Sequence, residues 1–223
     1  RKGRGPALVE VPPGVTCVDL AAPVFGDATF LLAMPALTRY LANRRPSVLY
    51  SGITTINLVS LAARARASVG TAVVISEHVP LSVNANTHPL KRVLPALARR
   101  WYPSADVIVA VSEALADDLA ATVRLPRSRI ETVYNPVVTE SLLAAAASPP
   151  DHRWFAGDAP VVLGIGRLDE QKDFMTLLRA FAVVRSSRTA RLVILGEGHQ
   201  RSELLAEAAR LGIGADVDLP GHV

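Results

Sequence analysis

Two cations stand close together in one short stretch of the sequence, VVLGIGRLDEQKDF at residues 161–174. An apolar run ends at Gly166, where the missing side chain would let the backbone approach a ligand. Arg167 follows directly, and Lys172 comes a few residues later. A guanidinium can bind a phosphate through two hydrogen bonds, and an ammonium adds a point charge. The pattern predicts a clamp for a diphosphate that requires no metal ion.

The element after this turn favours the same interpretation. Apolar residues at helical spacing predict a helix that begins near Asp173, a plausible N-cap. Lys172 would then lie beside a helix N-terminus, whose free N–H groups and positive dipole end favour an anion. The alternative is a surface loop in which the two cations pair with Asp169 and Glu170. On these residues alone, both interpretations stay open.

A dinucleotide-binding turn is the competing glycine-rich device, and the sequence does not fit it. Its fingerprint, G-x-G-x-x-G, requires a third glycine. After Gly164 and Gly166 that position is Asp169, and in the second candidate, residues 196–201, it is Arg201. We therefore expect no nicotinamide or flavin cofactor. Gly196 ends another apolar run, where its backbone could approach a ligand or simply form a tight turn.

His78 is a further candidate, because it directly follows the apolar run TAVVISE. If that run is a strand of a parallel sheet, His78 lies at the carboxyl edge, where open α/β sheets bind ligands. The commoner explanation of such a residue is a loop histidine at a strand end. Glu77 before it could orient the imidazole or be solvated.

The composition is that of an ordinary globular protein. The chain has 223 residues, half of them hydrophobic, a net charge of +4 and a pI of about 9.6. This charge suits anionic small molecules but is too scattered to indicate nucleic acid. Cys17 is the sole cysteine, which excludes an intramolecular disulfide and fits a reducing, cytoplasmic compartment. The chain starts without methionine, and we expect it to be part of a longer protein.

Short Val- and Ile-rich runs alternate with helical patterns along the chain, which is typical of βαβ units and parallel sheets. The alternation lapses around an alanine run and Pro149-Pro150, and then resumes. The sequence therefore predicts two Rossmann-like α/β domains: residues 1–137 with their start missing, a linker at 138–159, and residues 160–223 with their end missing. Seven strands are expected, at 47–51, 71–77, 106–112, 129–135, 160–166, 190–196 and 215–221.

The ordered set of motifs resembles the family 4 glycosyltransferases, which have the two-domain GT-B fold. GRLDEQKDF is similar to the family's G-R-L-x-x-x-K segment, and RLVILGEGHQRSELLAEAARLGIGADVDLPGHV to the segment that follows it. VISEHVPLS, YPSADVIVAVSEALADDLA and RIETVYNPV resemble the family's first domain. The similarity covers most of residues 30–223.

The resemblance implies a retaining transfer of a sugar from a UDP- or GDP-sugar to a hydroxyl of a polysaccharide, lipid or small molecule. Gly166, Arg167, Lys172 and Gly196 would bind the nucleotide-sugar without metal, in a donor domain at 160–223. His78 would lie near the donor sugar and acceptor, in the acceptor-side domain. The alternatives are a non-catalytic nucleotide-sugar- or partner-binding module, and a nucleotide-sugar epimerase of the same fold.

Two family features have no counterpart here, namely the opening strand with its glycine-rich loop and an E-x₇-E element, so these 223 residues could be inactive alone. A basic stretch at 91–102 could rest on the inner face of a membrane, although a solvated helix face is the commoner explanation. Its expected apolar stripe is Leu90, Leu94, Leu97 and Trp101.

Overall fold

The computed structural model describes residues 11–20, 32–84 and 89–221. The chain divides into two compact units, Arg1–Val137 and Val138–Val223. Among the described residues, no helix has the length and apolar content that crossing a bilayer requires.

The first unit contains a four-stranded sheet. Its strands pair in parallel and in the order of the chain, so all four carboxyl ends lie at one edge. Each strand overlaps a range predicted from the Val- and Ile-rich runs. The strands are β1 (Val48–Gly52), β2 (Ala72–Glu77), β3 (Val107–Ala110) and β4 (Ile130–Thr132).

Five α-helices lie in the described part of the first unit. They are α1 (Met34–Arg44), α2 (Thr54–Ala67), α3 (Leu81–Asn84), α4 (Leu94–Trp101) and α5 (Glu113–Val123). Single 3₁₀ turns lie on either side of α4, at Pro89–Val93 and Tyr102–Ser104, and between α5 and β4, at Arg127–Arg129. Helix α5 begins where Ser112 accepts a hydrogen bond from the Leu115 N–H, as an N-cap should.

The core of the first unit joins the sheet to α2, α4 and α5. Leu61, Ile75, Ile108 and Leu119 are almost fully buried in it. Helix α4 contributes Leu94 and Ala98, whereas Leu97 is 42% exposed. The predicted stripe on this helix is therefore wrong at Leu97, because Leu94 and Ala98, one turn apart, set the buried face.

The second unit repeats the arrangement with three parallel strands, in the order β5-β6-β7. Its strands are β5 (Val161–Ile165), β6 (Arg191–Leu195) and β7 (Val217–Gly221). Its helices are α6 (Glu140–Ala146), α7 (Phe174–Ser187) and α8 (Arg201–Arg210), with 3₁₀ turns at Arg153–Ala156, Glu170–Lys172 and Gly214–Asp216. Leu168, Phe174, Leu178, Leu192 and Leu204 lie in one core.

Helix α7 begins at Phe174, where the sequence predicts it. The Asp173 carboxylate accepts a hydrogen bond from the Thr176 N–H at 3.3 Å, which confirms the predicted N-cap. Part of the predicted linker packs on this unit, because His152 Nε2 lies 3.1 Å from Asp218 Oδ2 on β7.

Candidate functional site

Backbone hydrogen bonds join the turns at the carboxyl ends of β5 and β6. The Gly166 N–H donates to the Leu195 carbonyl at 3.0 Å, and the Leu168 N–H donates to the Glu197 carbonyl at 2.9 Å. The strand pairing thus extends past the sheet, and it fixes the backbone from which Arg167 projects.

Gly196 has to be glycine because the two turns approach so closely. Its φ is +137°, and a Cβ there would lie 2.0 Å from the Gly166 carbonyl oxygen. Gly198 is constrained in the same way, since its Cβ would lie 2.2 Å from the Leu168 carbonyl oxygen. This packing explains both glycines without a ligand, and the role of Gly196 in donor binding stays a prediction.

Arg167 presents its charge to solvent. Its side chain is 74% exposed, and its Nη2 lies 3.0 Å from Oδ2 of Asp169, which is largely buried. The ion pair leaves most of the guanidinium free while it limits the directions in which the side chain points. One part of the surface-loop alternative, an Arg167–Asp169 pair, is thus present.

Lys172 lies over Gly166. A Cβ at Gly166 would be 3.3 Å from Cγ, Cδ and Cε of Lys172, so the glycine makes room for the lysine stem. Glu170, the other acid of the surface-loop alternative, pairs instead with His199 at 3.0 Å. In the portion of the chain that the structure describes, no ion pair involves Lys172, and the residue is exposed.

The Glu170–His199 pair links the turn after β5 to the turn after β6. The hydrogen bond that His199 donates to the Glu170 carboxylate raises the pKa of His199 and lowers the pKa of Glu170. Both side chains are exposed. When His199 is protonated, the Glu170 carboxylate offsets its charge, so the pair joins the two turns without adding net charge to the site.

In the first unit, His78 follows β2 and is exposed. Its Nε2 lies 3.1 Å from the hydroxyl of Ser76, which is buried. The ring also lies beside Gly52 at the end of β1, where a Cβ would be 3.4 Å from Nε2. The imidazole therefore sits at the carboxyl edge of this sheet, next to the end of a neighbouring strand.

Glu77 neither contacts solvent nor reaches His78. It is 1% exposed and accepts hydrogen bonds from Thr54 Oγ1 at 2.9 Å, Asn57 Nδ2 at 3.1 Å and the Tyr102 hydroxyl. The solvated alternative for this residue is therefore wrong, and Glu77 makes no direct contact with the imidazole through which it could orient it. The alternation of Val73, Ile75 and Glu77 along the strand is the signal that could have placed it on the core face.

Burial dominates the electrostatics around Glu77. Loss of hydration raises the pKa of this carboxyl group, and the three donors oppose part of the rise. Burial and the neighbouring carboxylate also raise the pKa of Tyr102, so its phenol keeps the proton that it donates.

The protein is thus of the α/β class, with two units that each contain a parallel sheet and exposed polar side chains at its carboxyl edge. The family model described as Glycosyltransferase Family 4 matches residues 3–141, and that of Glycosyl transferases group 1 matches residues 152–223. The chain belongs to glycosyltransferase family 4, and its fold is the predicted GT-B type.

A similar curated protein is N-acetylgalactosamine-N,N'-diacetylbacillosaminyl-diphospho-undecaprenol 4-alpha-N-acetylgalactosaminyltransferase of Campylobacter jejuni. It is 32% identical over 120 residues, which cover 54% of this chain and 31% of that protein. The match thus spans about a third of the length of that relative.

Two solved structures share the fold at low sequence identity. Anabaena Alr3699/HepE in complex with UDP and glucose has a TM-score of 0.65 at 19% identity, and the match covers 91% of this chain and 55% of that one. The apo form of the lipopolysaccharide outer core galactosyltransferase WaaB has a TM-score of 0.60 at 19% identity, over 88% and 49%. The chain spans about half of each.

Proposed function

We propose that the protein to which this chain belongs transfers a sugar from a nucleotide-diphosphate sugar to an acceptor hydroxyl. Family membership supports the class of reaction. The turn from Gly166 to Lys172 supports binding of the donor diphosphate. There, an exposed arginine and an exposed lysine project from one short turn at the carboxyl end of β5. Gly166 leaves room for the stem of Lys172. Gly196 allows the turn after β6 to pack closely against the turn after β5.

The chemistry of the leaving group favours two fixed cations. When the glycosidic bond breaks, the nucleoside diphosphate gains negative charge, so Arg167 and Lys172 stabilise the transition state more than the ground state. These side chains supply the charge that a divalent cation provides in other phosphate sites, and the reaction proposed here uses no metal. His78 is proposed to contact the donor sugar or the acceptor, and the transfer retains the anomeric configuration.

We infer that the donor is a UDP-sugar and the acceptor is lipid-linked. The donor is proposed because the Anabaena structure contains UDP, and the acceptor because the Campylobacter relative is named for a diphospho-undecaprenol substrate. Both molecules carry a diphosphate, which suits the basic composition of this chain.

A lipid-linked acceptor requires the protein to work at a membrane surface, and we place it at the cytoplasmic face. The segment around α4 supports such contact. Val93 and Leu97 are 55% and 42% exposed, and Arg92 and Arg100 are exposed close to them in the sequence. An apolar strip flanked by cations fits an anionic bilayer surface.

Incubation with UDP-sugars and a polyprenyl-diphosphate saccharide, followed by mass spectrometry and NMR of the product, tests the proposal. Transfer with an unchanged anomeric configuration, undiminished by EDTA, is the expected result. Sugar interconversion with donor alone would indicate an epimerase. Donor binding without any product from the full-length protein would indicate a non-catalytic module, and either outcome contradicts the proposed transfer.

A further inference from the structure

A closed hydrogen-bonded cluster lies beneath the end of β2, and the proposed chemistry does not use it. Its buried centre is Glu77, which joins the first turn of α2 to the 3₁₀ turn after α4 through Thr54, Asn57 and Tyr102. Each of these side chains is at most 1% exposed. A buried acid is costly unless every hydrogen bond is made, so such a cluster holds its members in one arrangement.

Asn57 connects the cluster to the backbone of β2. Its Nδ2 donates both to the Ser76 carbonyl at 2.9 Å and to Glu77 Oε1 at 3.1 Å, and its Oδ1 accepts from Ser51 Oγ at 2.8 Å. The Ile53 N–H donates to the same Ser76 carbonyl at 3.1 Å. Helix α2, the turn before it and the 3₁₀ turn after α4 therefore all form hydrogen bonds with Ser76 or Glu77, the two residues that precede His78.

The turn between β1 and α2 adds strain that the cluster must offset. Ile53 has φ +74°, a conformation that a β-branched residue avoids. Such strained conformations persist where the surrounding contacts over-determine them. The cluster supplies those contacts next to Gly52, which the His78 ring approaches.

We propose that Glu77 is a positioning residue for His78. Its carboxyl group locks the end of β2 to α2 and Tyr102, and this lock fixes the direction in which the next side chain leaves the sheet. Since neighbouring residues of a strand point to opposite faces, Glu77 acts from the core side while His78 and Ser76 share the other face. The positioning of His78 follows from geometry, and its consequence for turnover rests on the proposed function.

NMR of the histidine side chains tests the position directly. The chain has five histidines, and the His78 signal is assigned by its loss in His78→Asn. In Glu77→Ala we expect displaced His78 ring resonances. Glu77→Gln keeps the shape and most of the hydrogen bonds, so it should restore resonances close to those of the parent chain.

Asp106→Asn is the matched control. The Asp106 carboxylate also ties β2, by accepting from the Val73 N–H at 2.7 Å, but it lies towards the amino end of the strand. The Asp106→Asn substitution should therefore leave the His78 resonances unchanged. If Glu77→Ala fails to fold, Tyr102→Phe removes one hydrogen bond and should shift His78 in the same direction by less. A folded Glu77→Ala or Tyr102→Phe chain with the His78 spectrum of the parent overturns the proposal.

Measurements of turnover distinguish the positioning role of Glu77 from the role proposed for His78 in the reaction. With His78 displaced, Glu77→Ala should lower kcat by roughly 10²-fold, as small misplacements do, with a smaller change in the donor KM. If His78→Ala leaves turnover intact, the role proposed for His78 is wrong, yet the NMR result still decides whether Glu77 positions it. If His78→Ala abolishes turnover and folded Glu77→Ala does not reduce it, the positioning role is wrong.

Discussion

Replacing Gly196 with alanine should destabilise the second unit far more than replacing Gly212 or Gly157 in it. The new Cβ would lie 2.0 Å from the Gly166 carbonyl oxygen, so one of the two turns must move by more than about 1 Å to reach an ordinary contact. That movement strains or breaks the backbone hydrogen bonds from Gly166 and Leu168, each worth about 1 kcal/mol. The positive φ adds about 1–2 kcal/mol.

The sum predicts a loss of about 3–4 kcal/mol, against a typical total stability of roughly 5–15 kcal/mol. Two other glycines separate the contributions. Gly212 has φ +71°, and a Cβ added there would meet nothing within 4 Å, so Gly212→Ala should cost only the strain of about 1–2 kcal/mol. Gly157 has an ordinary φ of −105°, and a Cβ there would make only an ordinary contact with the Trp154 carbonyl oxygen at 3.9 Å, so Gly157→Ala should be neutral.

Urea unfolding monitored by far-UV circular dichroism and by tryptophan fluorescence, to which Trp154 of the second unit and Trp101 of the first contribute, measures the series. The expected order of destabilisation is Gly196→Ala, then Gly212→Ala, then Gly157→Ala. Equal stability losses for Gly196→Ala and Gly212→Ala would refute the close approach of the two turns, and with it the description of this edge of the sheet.

Two further predictions concern pH. Glu170→Gln should lower the pKa of His199, because the carboxylate that raises it is gone; an unchanged NMR titration would contradict the pairing. Burial raises the pKa of Glu77, so the folded chain holds that proton more tightly than the unfolded chain and stability falls as pH rises above the ordinary carboxyl pKa. Glu77→Gln removes this dependence, so its stability relative to the parent should increase as the pH rises above the ordinary carboxyl pKa, and a constant difference would contradict the burial of the acid.

Local features of the fold were predictable from the sequence. The seven strands follow from β-branched runs, and the N-caps Ser112 and Asp173 each bind an N–H of the helix turn that directly follows them. No helix was predicted at α1, which begins without a capping side chain or an acidic residue in its first turn, and which packs mainly on α2.

Features that depend on distant parts of the chain were not predictable. Position 196 must be glycine because the Gly166 carbonyl oxygen leaves no room for a Cβ. The Glu77 carboxylate accepts hydrogen bonds from Thr54 and Tyr102, which are 23 and 25 residues away. A single sequence does not show such pairs. Local chemistry and a family resemblance indicate the candidate site residues, and their roles in binding remain predictions.

Calorimetric titration with UDP tests whether one short turn binds a diphosphate through its two cations. Charge-assisted hydrogen bonds are worth about 1.5–3 kcal/mol, so Arg167→Ala should weaken UDP binding by roughly ten- to a hundredfold, and Lys172→Ala similarly. Arg179→Ala is the control, because Arg179 is exposed on α7 and pairs with Glu207. We expect weakened binding in the two turn variants and parental binding in the control. UDP binding of parental strength in both Arg167→Ala and Lys172→Ala would show that the turn does not hold the diphosphate.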